Sequence, residues 1–91
     1  MKLSDKIKVK DEVLARAVGD ETVMLDLAKG AYFGLDPVGA RIWQLLVAGR
    51  TLAQICDVMM DEYDVPRETL ERDVLKLVDQ LAAHALIDPA P

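Results

Sequence analysis

Residues 26–43, which read DLAKGAYFGLDPVGARIW, change their hydrophobic period from that of a strand to that of a helix within a few residues. Ala31–Leu35 is a short run with two aromatic residues and reads as a strand. Asp36 is a good N-cap and Pro37 suits the first helical position, where its missing N–H has no cost. The chain therefore passes directly from a strand into a helix, which predicts a small sheet packed on helices.

Two more strands are predicted before this junction. Val13–Val18 and Glu21–Leu27 flank the pair Gly19-Asp20, which is typical of a two-residue hairpin turn with a positive φ at the glycine. Residues 28–30 (AKG) then form a second turn and lead into the strand at Ala31–Leu35. Three consecutive antiparallel strands form a meander, and we expect its third strand to lie at an edge.

Three helices are predicted after the meander. The first runs from the Asp36 cap to a stop at Gly49, and the second starts at a capping box, residues 51–54 (TLAQ). The third runs from Pro66 to about Ala85. The 91 residues are thus predicted to form one α+β domain spanning 1–91, with a three-stranded antiparallel sheet followed by three helices.

The two ends of the chain carry weaker signals. Lys6–Lys10 alternates charged and apolar residues, which predicts a short additional strand. Leu86 and Ile87 are expected to close the fold, and residues 89–91 (PAP) to form an exposed tail.

The last helix has more apolar surface than one packing face requires. At about 100° per residue, an ordinary core stripe is formed by Leu70, Val74, Leu77, Val78 and Leu81. Leu75 and Ala82 widen the apolar arc to about 180°, against the roughly 100° that a core-facing helix needs. These two residues either fill the junction with the sheet or line a groove beside the third strand. An edge strand has unpaired backbone groups, so an extended peptide could bind in such a groove.

Aromatic residues divide between the core and the surface. Trp43 is expected to pack between the first helix and the sheet. Tyr32 and Phe33 point to opposite faces of the third strand because side chains alternate along a strand. Phe33 shares its face with Ala31 and Leu35, so we expect Phe33 to point inward and Tyr32 to be exposed.

Charge and composition exclude several classes of protein. Residues 1–50 carry eight Lys/Arg and seven Asp/Glu, whereas residues 51–91 carry three and nine. An acidic helical half is unfavourable for a nucleic-acid reader. Cys56 is the single cysteine, which excludes an internal disulfide and fits a reducing cytosol. No apolar run approaches 18 residues and no signal peptide is apparent, so we expect a cytoplasmic protein without membrane insertion.

Neither catalytic residues nor a metal site can be recognised. Cys56 and His84 are the single residues of their types, and neither lies in a nucleophile motif. We expect Cys56 in the core and His84 on the surface near a helix C-terminus. The acidic residues of 57–64 lack the ligand alternation and glycine of a calcium loop, so they read as a solvated helix end. No enzymatic activity, cofactor or metal is therefore predicted.

Three stretches resemble the PqqD-like family, the leader-peptide recognition elements of ribosomally made and modified peptides. They are TVMLDLAKGAYFGLDPVGARIW at 22–43, GRTLAQI at 49–55 and DVLKLVDQLAAHALI at 73–87. The most specific parts are a Leu-Asp…Gly-x-Tyr-x-x-Leu strand pair and Gly-Ala-Arg-Ile-Trp at 39–43. The resemblance spans residues 12–88, and it departs from the family at His84-Ala85, where many members have a glycine before the Leu.

The resemblance implies a winged helix-turn-helix fold and a site for a precursor leader peptide. Members bind the leader as an added strand between the third strand and the third helix. By position, the strand wall comprises Ala31, Tyr32, Phe33, Gly34 and Leu35, and the helix wall comprises Arg72, Leu75, Lys76, Val78, Asp79 and Ala82. The sheet edge and the apolar arc described above predict a groove in the same place.

The family also implies partners. The stand-alone form most resembles the leader-binding proteins of lasso-peptide clusters, whose partner is a separate cysteine protease that removes the leader. A peptide chaperone of pyrroloquinoline quinone synthesis, serving a radical SAM enzyme, is the alternative within the family. A DNA-binding winged helix and a small dimerisation module remain alternatives outside it. We expect a monomer or weak dimer that binds no nucleic acid.

Overall fold

The computed structural model describes residues 2–3, 5–10 and 13–89. The elements in chain order are β1 (Ile7–Val9), β2 (Val13–Val18), β3 (Glu21–Asp26), β4 (Ala31–Leu35), α1 (Pro37–Val47), α2 (Leu52–Glu62), α3 (Arg67–Ala83) and β5 (Ile87–Pro89). The predicted α+β architecture, a three-stranded antiparallel sheet followed by three helices, is confirmed. Its winged helix-turn-helix character stays a prediction.

The meander closes through two glycine turns. β2 and β3 pair in register up to Val18 opposite Glu21, and Gly19 in the turn has a φ of 63°. Gly30, at the end of the second turn, has a φ of 68°. Glycine adopts this region without the steric cost that a Cβ imposes, which is why these turns could be predicted. β3 ends one residue before the predicted Leu27, which belongs to the turn.

A second sheet joins the two ends of the described chain. The strand predicted within Lys6–Lys10 is present as β1, and its antiparallel partner is β5, with Val9 opposite Ile87. Pro89 was expected to begin an exposed tail, and this prediction is wrong because Pro89 is the last residue of β5. Residues 90–91 lie outside the described residues. The pairing of β1 with β5 has no local signature in sequence.

Side-chain and backbone caps fix where the helices begin. The Asp36 Oδ1 atom accepts a 2.7 Å hydrogen bond from the Gly39 N–H, and Thr51 and Gln54 form the predicted capping box. The N-terminal arm adds a second cap to α2, because the N–H groups of Leu52 and Ala53 donate to backbone carbonyls of residues 5 and 3. These bonds satisfy donors that a helix start otherwise leaves unpaired.

One apolar core connects the helices to the sheets. The fully buried side chains are Met24, Leu46, Leu52, Ile55, Cys56, Met59, Val74, Val78 and Leu86. Trp43 is 5% exposed and Cys56 is 0% exposed, as predicted. Tyr32 is 76% exposed and Phe33 is half-buried against the core, so the predicted alternation along β4 is confirmed. In the described part, no helix is both long enough and apolar enough to cross a membrane.

Two arginines form ion pairs between helices. Arg41 on α1 donates from Nη2 to Glu62 Oε2 at 2.7 Å and from Nε to Oε1 at 2.9 Å. The Arg41 hydrogen bonds lower the pKa of the Glu62 carboxyl. At the start of α3, Arg67 pairs with Asp57 of α2 and, at 3.1 Å, with Glu71 one turn further on.

The ends of α1 and α3 share one geometry but not one residue. At α1, the Gly49 N–H donates to Leu46 O and the next N–H donates to Leu45 O, with a Gly49 φ of 83°. At α3, the Ala85 N–H donates to Ala82 O and the next N–H to Leu81 O, with an Ala85 φ of 57°. Both are Schellman motifs, which favour glycine at this position. Ala85 therefore holds a left-handed conformation that costs an L-residue about 1–2 kcal/mol.

Replacing Ala85 by glycine should stabilise the protein. Ala85→Gly removes the Cβ from the left-handed position, and we expect the free energy of unfolding to rise by about 1 kcal/mol once the greater freedom of glycine in the unfolded chain is counted. Urea denaturation measures the change. The matched control is Gly49→Ala, which should lower stability by a similar amount. A loss of stability in Ala85→Gly would contradict this account of the α3 terminus.

Candidate functional site

β4 has a free edge on the side away from β3. Its five residues pair with β3 from Ala31 opposite Asp26 to Leu35 opposite Thr22. Among the described residues, no strand pairs with its other edge. The backbone N–H and C=O groups along that edge can accept an extended peptide as an added strand.

The side chains of β4 alternate between two environments. Leu35 is buried, and Ala31 and Phe33, on the same face, are partly buried. Tyr32 and Gly34 are exposed on the opposite face. A strand added to this edge would place alternate side chains next to Phe33, between the sheet and the helices, and the others beside Tyr32.

The turn before β4 is held by one buried acidic residue. Asp26 is 4% exposed, and its Oδ1 atom accepts hydrogen bonds from the N–H groups of Ala28 at 3.0 Å and Lys29 at 3.3 Å. The Asp26 carbonyl accepts a third bond, from the Gly30 N–H at 2.8 Å. This Asx turn fixes the point at which the chain reverses into β4.

A ring contact shows which flank of α3 lies near β4. The rings of Phe33 and His84 have centroids 4.5 Å apart and an interplanar angle of 49°. Leu77 lies seven residues before His84, about two helical turns, so both are on the same flank of α3. Leu75 is turned about 160° away from Leu77 around the helix axis.

A cavity lies where β4 passes into α1. This junction cavity has a volume of about 280 Å³ and is lined by Asp36, Val38, Gly39, Ile42, Asp73, Lys76, Leu77 and Gln80. Val38, Ile42 and Leu77 give it apolar side chains, while Asp36, the N-cap of α1, and Asp73 and Lys76 of α3 give it charged ones. The chemistry suits an aliphatic side chain whose neighbours are charged or polar.

The predicted helix wall lies mostly on another surface. Four of its residues do come together in a shallow outer concavity of about 570 Å³, lined by Arg72, Leu75, Lys76, Asp79, Gln80 and Ala83. No β4 residue lines this concavity or the junction cavity, but the junction cavity includes Asp36, which directly follows β4. Val78 is completely buried, so it can support a groove only from below. Ala82 is exposed but lines neither space. Of the predicted wall, Lys76 alone lines the junction cavity. Contact of any of these residues with a peptide stays a prediction.

The sequence did not single out four residues as candidates: Asp73, Leu77 and Gln80, which line the junction cavity, and His84, whose ring contacts Phe33. Leu77 was placed in the core stripe, and His84 was placed on the surface without a partner. The available signal was the seven-residue spacing of Leu77 and His84. The helical period gives the angle between residues but not the direction in which the neighbouring strand lies.

The single cysteine and the single histidine are far apart. Cys56 is buried, and burial raises the pKa of its thiol. The charged neighbours of Cys56, Arg67 and Glu71, belong to the first turns of α3. His84 follows the end of that 17-residue helix, about 25 Å away along its axis. These two side chains therefore do not form a catalytic dyad.

Comparison with known proteins gives one family and two solved structures. The family model described as coenzyme PQQ synthesis protein D (PqqD) matches residues 21–87. A structure of TbiB1 in complex with the TbiA(beta) leader peptide is 43% identical, with a TM-score of 0.85, covering 89% of this chain and 94% of that one. A lasso peptide synthetase B1 complexed with the leader peptide is 28% identical, with a TM-score of 0.86, covering 92% and 99%. No curated protein sequence gives a significant match.

Removing the Asp26 side chain should weaken the turn that leads into β4. Asp26→Ala leaves two backbone N–H groups without their acceptor, and we expect a loss of about 2 kcal/mol of unfolding free energy. Urea denaturation measures it, and hydrogen exchange should show faster exchange of the amides of residues 28–30. The control Asp20→Ala, at the exposed hairpin tip, should change stability by less than about 0.5 kcal/mol. Equal effects of the two variants would refute the role assigned to Asp26.

Proposed function

The chain belongs to the PqqD family, and from that membership we propose that it is a non-catalytic adaptor that binds the leader of a ribosomally made precursor peptide. The leader adds to β4 as a further strand, facing the Leu77–His84 flank of α3. The observation that carries this proposal is the free β4 edge, which leads into the junction cavity with its apolar side chains Val38, Ile42 and Leu77. The two similar structures support it, because both were solved with a leader peptide.

The adaptor holds the leader by two kinds of contact. Backbone hydrogen bonds to β4 supply affinity that is independent of the leader's sequence, and side-chain pockets supply selectivity. The junction cavity would take an aliphatic leader residue, with Asp36, Asp73 and Lys76 available to pair with charged neighbours. At the middle of β4, Phe33 and its neighbour His84 would contact the leader backbone or a flat side chain.

We propose that the chemistry is carried out by a partner enzyme to which the bound leader is presented. A leader protease of the lasso-peptide type is favoured, since one similar structure is described as a lasso peptide synthetase B1. The alternative is a peptide chaperone that serves a radical SAM enzyme, which the name of the family model favours. The genes beside this one discriminate between the two pathways.

A matched pair of α3 variants tests the position of the groove. Leu75 and Leu77 are both partly buried against the core, so Leu75→Gln and Leu77→Gln should cost similar stability. We expect Leu77→Gln to weaken leader binding at least tenfold and Leu75→Gln to change it less than threefold. Fluorescence anisotropy with a labelled leader peptide measures both affinities, and thermal melts confirm equal folding.

The reverse result would assign the leader to the outer concavity, which contains Leu75 of the predicted helix wall. Unchanged affinity in both variants would remove α3 from the leader site altogether. Binding of random duplex DNA, tested by gel shift at low salt, would support the DNA-binding alternative if it fell steeply with added salt. We expect no such binding, because residues 51–91 carry nine acidic and three basic side chains.

A further inference from the structure

β2 is the second free edge of the three-stranded sheet. Among the described residues it pairs only with β3, in unbroken register from Val13 opposite Asp26 to Val18 opposite Glu21. Residues 14–18 are all exposed, so both faces of the strand lie beyond the cover of the helices. Edge strands are usually protected by lysine, proline or a bulge. β2 (VLARAV) has only Arg16.

The sheet face that points away from the helices carries apolar side chains along this edge, with Arg16 between Leu14 and Val18. Leu14, Leu25 and Tyr32 lie opposite one another across the three strands, and Val18 lies on the same face. Leu14 is 51% exposed and Val18 is 59% exposed. Scattered exposed aliphatic residues are normal, but a contiguous row beside a free strand edge is typical of an interaction surface.

The opposite side of β2 overhangs a polar cavity. This hairpin cavity has a volume of about 430 Å³ and is lined by Ala17, Gly19, Asp20, Glu21, Thr22, Pro37, Ala40, Arg41, Gln44 and Tyr63. Ala17, which lines the cavity, and Ala15 on the same side of β2 both have small side chains. Arg41 is already bonded to Glu62 and Gln44. The Asp20 carboxylate, on the hairpin turn, is the acidic group that this cavity offers to a basic side chain, whereas Glu21, opposite Val18, belongs to the outer face of the sheet.

We propose that an extended segment of a second protein binds along the free edge of β2. The segment would add to the sheet as a further strand, on the side opposite to β4. Apolar side chains of the segment would cover Leu14 and Val18 on the outer face. A lysine or arginine of the segment would point to the inner side and enter the hairpin cavity. We assign this segment to the processing enzyme, an assignment that rests on the proposed function. The two edges of one sheet would then bind leader and enzyme together.

Charge argues against a second copy of this chain as the occupant. Two copies pairing through β2 would bring the Arg16 side chains close together near the middle of the strands, and like charges across a strand pair are destabilising. Each copy has a net charge of −5, and neither offers a basic residue on β2 that faces the hairpin cavity. A segment of another protein that carries a lysine or arginine facing the cavity supplies the missing basic residue and does not place two Arg16 side chains together.

The test uses the purified chain, a precursor peptide and a leader protease taken from the neighbouring genes. Val18→Lys adds charge to the outer face, and Asp20→Lys reverses a charge at the hairpin cavity. The matched control is Val47→Lys on α1, because Val47 is 58% exposed and Val18 is 59% exposed. Fluorescence anisotropy measures the affinity for the leader, and biolayer interferometry measures the affinity for the protease. Cleavage of the precursor peptide is followed with this protein present in limiting amount.

We expect Val18→Lys and Asp20→Lys to keep leader affinity within twofold, and to lower both protease affinity and cleavage rate at least tenfold. Val47→Lys should match the unmodified chain. Full protease affinity in both β2-edge variants would overturn the docking proposal and leave the leader proposal intact. If the unmodified chain does not bind the leader, the proposed function is overturned instead. Light scattering could instead show that the unmodified chain is a dimer, and that Val18→Lys dissociates this dimer without slowing cleavage. That result would identify a second copy as the occupant and overturn the assignment.

Discussion

The architecture depends on the burial of β3, the only strand with a neighbour on each side in the three-stranded sheet. Its inward side chains, Thr22, Met24 and Asp26, are all buried, and α1 packs against the same strand. Burial of one sheet face on helices is the main source of stability that a chain of this size has. Because β3 takes the central position, the strands on either side of it are both edges. The exposed backbone groups of the molecule follow from this arrangement.

The two edges differ in what surrounds them. β4 leads directly into α1 and lies beside α3, so a strand added there meets walls on the helix side. β2 has open space on both faces and a cavity under its turn. Strand addition gives little sequence selectivity by itself, so the walls determine what each edge accepts. The junction cavity and the hairpin cavity have different lining residues and would therefore select different partners.

The local parts of the structure could be predicted from sequence, because their causes lie within a few residues. Gly19-Asp20 specifies a turn, Asp36-Pro37 specifies a helix start, and the alternation of Tyr32 and Phe33 specifies their faces. The pairing of β1 with β5 could not be predicted, since it joins residues about 80 positions apart and leaves no periodic signal. The sequence also could not show which flank of α3 lies nearer to β4. The helical period gives the angle between Leu75 and Leu77 around the helix axis. It does not show which of them faces β4, because the position of β4 depends on the tertiary structure.

The β1–β5 pair brings the beginning and the end of the described chain side by side. Ile7 lies opposite Pro89, and the Lys10 amine is 3.6 Å from the Asp88 carboxylate. Adjacent termini are the geometry that tolerates circular permutation and insertion into a host protein. A short linker across this seam would leave β2 and β4 untouched. The fold is therefore suited to be carried as a cassette within a larger polypeptide, with both sheet margins still available.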